Sequence, residues 1–314
     1  MADRVRVALT PRHLERRLAQ RRRLRRDQRL RDAGWYDPSP RSEQAGVFIG
    51  GCGRSGTTLF KEVLNRHPRL ACGPETSLFG LPFSIDNIAV PWGMDRAELL
   101  AMQAACPNLL AFADRFADRF LAQEGKERWV EKTPNNVRAI GPILSWYPNA
   151  RFIHVIRDGR DVACSLRHHP KERIEHGRII PIETNNPMDR CATRWRDDVC
   201  DGLAYRGHPR VMEVRYEDLV RDPGDQFGRV CAFIGETFDE SMLRPSANEP
   251  ARPGQNLNNP DASSSITPKA IGRWERDLSG VERRVVDDIA GELLITLGYA
   301  PDHAWARGSR NDHE

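Results

Sequence analysis

Short apolar runs alternate along this chain with longer stretches that are apolar on one helical face only. The runs predict strands over Val47–Gly50, Leu70–Cys72, Arg128–Val130, Arg151–Ile156 and Arg210–Val214. The one-faced stretches predict helices over 57–66, 95–105, 109–124, 135–146, 159–168, 188–206, 223–235 and 281–297. Strands alternating with helices imply an α/β fold, a mostly parallel sheet flanked by helices in a three-layer sandwich. In such sheets ligands bind beyond the carboxyl ends of the strands. The loops after Ile49, Val130 and Ile156 all lie there. Two polar stretches rich in Pro, Asn and Ser, Pro170–Pro187 and Pro245–Ile266, read as loops that contact substrate or form lids, or else as plain disorder.

Composition narrows the class. A chain of 314 residues with 39% hydrophobic and 29% charged residues suits one soluble α/β domain with a proper core. The net charge of +4 is unevenly placed, because residues 1–33 hold twelve arginines against four acids. The chain therefore divides into a basic arm (1–33), a mildly acidic domain (46–299) and a tail (300–314). The arm suits an acidic membrane surface, nucleic acid or an acidic patch of a partner, and it also reads as a solvated Arg-rich helix or tail, whereas the body offers nothing to nucleic acid. No secretory core and no run of about 18 apolar residues is present, which points to a cytoplasmic protein. The lysine-poor composition suggests a bacterial one. Seven scattered cysteines, none in a CxxC, indicate neither a disulfide framework nor a zinc site. They read as small buried hydrophobes, Cys52 included.

Chemistry concentrates first at Gly50-Gly51-Cys52-Gly53-Arg54-Ser55-Gly56-Thr57-Thr58. A strand runs into a glycine-rich turn and then a helix, so successive N–H groups and the helix dipole meet at one spot. With the Ser55, Thr57 and Thr58 hydroxyls and the Arg54 guanidinium, this forms a cradle for an oxyanion. The sandwich is thus P-loop NTPase-like. A Walker A loop reads GxxxxGK(S/T), however, and Thr57 stands where its lysine belongs. An ordinary ATP or GTP enzyme is disfavoured.

A second site is Ile156-Arg157-Asp158-Gly159-Arg160-Asp161-Val162, with Ser165 about two turns into the next helix. An arginine at a strand end and a hydroxyl on the following helix can hold one phosphate between them. The same residues also read as a Walker B strand ending at Asp158, its arginines in ion pairs. Both sites together resemble the PAPS-dependent sulfotransferases. Pro74-Glu75-Thr76, Glu131-Lys132-Thr133-Pro134-Asn135, Val214-Arg215-Tyr216-Glu217-Asp218-Leu219 and Ile271-Gly272-Arg273-Trp274 recur in the family in this order. The likeness spans about residues 46–299 and is closest in motif style to protein-tyrosine and bacterial sulfotransferases.

The resemblance implies that Gly53, Arg54, Ser55, Gly56, Thr57 and Thr58 hold the 5′-phosphosulfate of PAPS. Arg157 and Ser165 would clamp its 3′-phosphate. Tyr216, Gly272, Arg273 and Trp274 would approach the nucleotide. Ser264 or Ser265 would lie near the phosphosulfate, although that run also reads as a Ser-rich linker. Arg54 and Lys132 would straddle the reacting group, and Glu75 would be the base, its pKa raised by partial burial. No metal is called for, since a sulfuryl group carries less charge than a phosphoryl group and fixed cations can stabilise the departing phosphate. The implied reaction transfers a sulfuryl group to a hydroxyl or amine by in-line displacement, releasing PAP. A small molecule, glycan, lipid or peptide would be the acceptor. Two alternatives stay open, a kinase-type phosphotransferase and a non-catalytic nucleotide-binding scaffold. Elsewhere, His154 reads as a core histidine, His67 as a helix C-terminal residue and Trp195 as core packing.

Overall fold

A computed structural model describes residue 21 and residues 24–80, 83–175, 178–182, 184–244, 266 and 268–307. Among these residues there are seven strands: β1 (Val47–Gly50), β2 (Leu70–Ala71), β3 (Arg128–Lys132), β4 (Arg151–Ile156), β5 (Lys171–Glu175), β6 (Arg178–Ile182) and β7 (Val211–Arg215). Five form a wholly parallel sheet in the order β2-β3-β1-β4-β7, and β5 and β6 pair antiparallel as a separate hairpin. β1 is central, with Ile49 opposite Lys132 on β3 and Ile153 on β4. That register sets the ends of all three strands around the glycine turn.

Strand alternation sorts the side chains into two layers. Phe48 and Phe152 pack with Trp129, Tyr147 and Phe112 on one face. Val47, Ile49, Ile153 and Val155 pack with Phe60, Leu64 and Phe227 on the other. A third core joins the helices Gly159–Arg167, Met188–Leu203 and Gly280–Thr296 around Trp195, Val162 and Leu294. The predicted three-layer α/β architecture is therefore present. Asp95, Asn108 and Ser279 cap helices as acceptors for first-turn N–H groups.

The differences from the predicted elements have local causes. β3 runs two residues further than expected, because Glu131 and Lys132 still pair with Phe48 and Ile49 of β1 and the buried Glu131 is satisfied by the Thr76 and Thr133 hydroxyls. The helix expected over 135–146 starts as a 3-10 turn, Pro134–Ala139, before the α-helix Ile140–Trp146. Three short α-helices, Asp86–Trp92, Tyr216–Arg221 and Trp274–Asp277, lay outside the predicted set. So did the β5–β6 hairpin, which occupies most of the polar stretch read as a loop. Residues 24–32 of the arm are helical, and Leu30 packs against the first core. The packed structure also continues past 299 to the buried Ala306. The first twenty residues, the tail from 308, and the stretch 245–265 with Ser264 and Ser265 lie outside the described residues. Among the described residues no helix is long and apolar enough to cross a membrane.

Candidate active site

The turn after β1 exposes backbone rather than side chain. Gly51 lies against the Val155 carbonyl and Gly56 against the Tyr216 ring, so closely that a Cβ on either would overlap its neighbour. Gly56 (φ 92°) and Arg54 (φ 74°) both occupy the left-handed backbone region. The helix Thr57–Asn65 has no side-chain cap and no acid in its first turn. Its positive end therefore faces the loop uncompensated. Ser55 is fully buried, and its Oγ has no hydrogen-bond partner.

The second predicted site closes on the first. Arg54 Nε donates to Ser165 Oγ at 3.0 Å. Arg157 Nη1 donates to the Arg54 carbonyl at 3.1 Å, and Nη2 donates to the Ala270 carbonyl at 2.5 Å. Its guanidinium carbon sits 4.5 Å from the centre of the Tyr216 ring, and its buried Nε has no partner. Burial, followed by the charges of Arg157 and Arg273, holds the Arg54 guanidinium below its ordinary pKa. Three cations share this space, and although Arg157 and Arg273 each have a carboxylate partner, their charges still disfavour one more positive group beside them.

Asp158 does not serve as a Walker B carboxylate. It caps the helix Gly159–Arg167 by accepting from Arg160 N at 2.9 Å, and it pairs with the Arg160 guanidinium at 2.7 Å. Arg160 thereby turns away from the loop towards the Trp274 and Trp305 rings. Trp195 is core, as expected, and its Nε1 donates to the Arg157 carbonyl at 2.9 Å.

On the other side of the loop, Lys132 Nζ lies 2.5 Å from Glu75 Oε1. Lys132 is buried, whereas the Glu75 side chain is 46% exposed. The partial burial expected of Glu75 is thus absent, and an ammonium group and solvent surround it instead. Beneath them Glu131 accepts from the Thr76 and Thr133 hydroxyls at 2.6 and 2.7 Å and from the Asn136 amide. Burial pushes the Glu131 carboxyl up despite those bonds.

The structure brings together the loop residues Gly53–Thr58 with Arg157, Ser165, Tyr216, Lys132 and Glu75. Gly272 and Arg273 approach through the segment that Arg157 touches. Trp274 does not enter with them, since its ring packs edge-to-face on Trp305, 5.4 Å between centres. Three further side chains border the site. Arg194 Nη2 stands 3.3 Å from where a Gly53 Cβ would be, and Asp198 holds it at 3.5 Å. His169 has a lowered pKa, from burial and then the charges of Arg54 and Arg194. Asp161 is buried between Arg157 and the Gly272–Trp274 backbone. Of the three, Asp161 alone lay in a segment the sequence singled out, four residues after Arg157 and in the first turn of the helix that follows it. Among the described residues no three His, Cys, Asp or Glu side chains group as metal ligands.

Comparison with known proteins adds kinship to this geometry. A model of the sulfotransferase family matches residues 46–240. The protein-tyrosine sulfotransferase of Drosophila melanogaster is 27% identical over 273 residues, which cover 81% of this chain and 52% of that protein. Protein-tyrosine sulfotransferase A of Caenorhabditis elegans is 26% identical over 274 residues, covering 82% of this chain and 67% of that protein. Among solved structures, the sulfotransferase domain of the Synechococcus PCC 7002 olefin synthase superposes with a TM-score of 0.56. It is 21% identical and covers 82% of this chain and 98% of that one. Mouse sulfotransferase SULT7A1, complexed with PAP, gives a TM-score of 0.51 at 14% identity, covering 88% of this chain and 92% of its own. At these identities the two structures bear on the fold, and both share its P-loop-like α/β sandwich.

Proposed function

The chain belongs to the sulfotransferase family, and on that premise we propose that it moves the sulfuryl group of PAPS to an acceptor hydroxyl or amine and releases PAP. One observation carries this reading. Arg54, Arg157 and Arg273 converge on a glycine loop where two buried donors, Ser55 Oγ and Arg157 Nε, lack any hydrogen-bond partner. Buried donors without acceptors are costly, about 1–3 kcal/mol each. The phosphate and phosphosulfate oxygens of PAPS fit them.

When bound, PAPS would supply an activated sulfuryl group attached to a good leaving phosphate. Gly53, Ser55, Gly56, Thr57 and Thr58 would hold its 5′ end through N–H groups and hydroxyls. Arg157 and Ser165 would grip the 3′-phosphate, and Tyr216, Gly272 and Arg273 would border the nucleotide. Trp274 would support that border from behind. Arg54 and Lys132 stabilise negative charge as it gathers on the departing oxygen, a task that fixed donors perform without reorganisation. Glu75 takes the proton of the attacking hydroxyl or amine. This division of labour accounts for Thr57 in place of the P-loop lysine. The kinase-type alternative loses its strand-end carboxylate to the Asp158–Arg160 pair.

The relatives named as protein-tyrosine sulfotransferases support a tyrosine-bearing peptide as the first acceptor to try. PAPS carrying a labelled sulfuryl group, offered to peptide, glycan, lipid and small-molecule hydroxyls, tests the reading. Label should pass to one class and vanish with Glu75→Gln. Labelled transfer that is unaffected by Glu75→Gln would remove the assigned base, and no transfer to any class would remove the reaction.

A further inference from the structure

Asp161 is a carboxylate with 0% exposure, yet it has no duty on its own helix. The N-cap of Gly159–Arg167 is already supplied by Asp158. Asp161 instead reaches a segment 111 residues away. Its Oδ2 accepts from Gly272 N at 2.9 Å and its Oδ1 from Trp274 N at 3.0 Å. Arg157 Nη2, 3.8 Å from the same carboxylate, also binds the Ala270 carbonyl of that segment. The segment is thus held at three backbone atoms, by one acid and one arginine.

Arg273 lies between the two N–H groups that Asp161 holds. Its guanidinium is fixed by Asp277 at 2.7 Å and its charge is felt at Arg54. With the backbone on either side pinned, the root of the side chain is fixed relative to the Arg157 clamp. A charged carboxylate is desolvated at a cost in such a place unless its bonds are good. These bonds are good, and the group they order is a cation of the proposed donor site.

We propose that Asp161 is a positioning residue for the donor: it latches the Gly272–Trp274 backbone onto the Arg157 clamp, so that Arg157 and Arg273 act on one anion. The proposal rests on the reading of this site as a PAPS site. Asn at this position keeps the size but replaces one acceptor oxygen with a donor that opposes an N–H. Losing one charge-assisted hydrogen bond corresponds to about 10–100-fold in affinity.

The test is calorimetric titration of PAP into the full chain and its Asp161→Asn, Arg273→Ala and doubly substituted variants, with kcat and KM for PAPS measured in parallel. Asp161→Asn should weaken PAP about 10–100-fold while kcat at saturating PAPS stays within about threefold. Because Asp161 acts through Arg273, the double variant should be little worse than the weaker single variant. Effects that multiply in the double variant would overturn the latch, as would a loss confined to kcat. Arg273 is partly exposed, so Arg273→Ala should fold even where Asp161→Asn does not, and unchanged PAP affinity in it would also overturn the proposal. Hydrogen exchange at the Gly272 and Trp274 amides reads the latch without any donor. The amides should be protected in the wild-type chain and fast in Asp161→Asn. Fast exchange in the wild type refutes the latch, whereas protected amides in a chain that ignores PAP would refute the donor reading alone.

Discussion

Lys132 and Glu75 touch at 2.5 Å, so the proposed base and the proposed charge stabiliser meet as one unit. Lys132→Ala should lower turnover about 10²–10³-fold, the usual loss for one preorganised donor. Glu75→Gln should lower it about 10²–10⁴-fold and leave PAP affinity nearly intact. Steady-state kinetics beside PAP titration separates the two effects, and a Lys132→Ala enzyme with full turnover would contradict the assignment. His154 carries a different prediction. It is wholly buried, neither ring nitrogen has a partner, and burial lowers its pKa to about 4. The unfolded chain, near the ordinary value of about 6.5, then binds the extra proton between those two values. Its contribution to stability is complete above pH about 6.5 and is lost as pH falls towards 4, about 3 kcal/mol in all. Urea unfolding at pH 7 and 4.5 should show that loss, and His154→Leu should flatten it. An identical slope in the variant would assign the acid sensitivity elsewhere. His154, Cys52 and Trp195 were legible as core from the sequence, His154 because it interrupts an apolar strand run, and Cys52 and Trp195 from residue type alone. The Lys132–Glu75 contact was not, since 57 residues separate the partners and only the β3 register brings Lys132 to the loop.

At the scale of elements, β1, β4 and the helix Leu109–Glu124 could be read from periodicity and caps alone. Where the reading fell short, tertiary context had decided. Tyr216–Arg221 is helical although Tyr216 follows directly on β7, and its ring is needed under Gly56. The β5–β6 hairpin hid behind Pro181, which a two-stranded sheet tolerates because each strand is an edge. The last helix shows an element secured by its start. Ser279 and Glu282 form a capping box, and Glu282 also pairs with Arg167 on the clamp helix. Ser279→Ala should cost about 1 kcal/mol in urea unfolding. No change would mean that the packing of Trp305 and Leu294 alone holds this helix in place.

For the whole molecule, the two sequences read as anion sites lie at one place. A central β1 flanked by β3 and β4 delivers the glycine loop, Lys132 and Arg157 to the same end of the sheet. That convergence was legible as fold class and as motif order. The place of His169 and Arg194 beside the loop was not, because it depends on distances between segments far apart in the chain. The two sequence relatives described above are animal proteins, and they lend no support to the bacterial origin drawn from a lysine-poor composition. The central claim is that this end of the sheet grips a phosphosulfate donor through Arg157 and the glycine loop. It is tested most directly by calorimetric titration of PAP, without Mg²⁺, into the wild-type chain and into Arg157→Ala. The account predicts saturable binding by the wild type and a loss of about 10–100-fold in the variant. No affinity for PAP, together with Mg²⁺-dependent turnover of ATP, would contradict it.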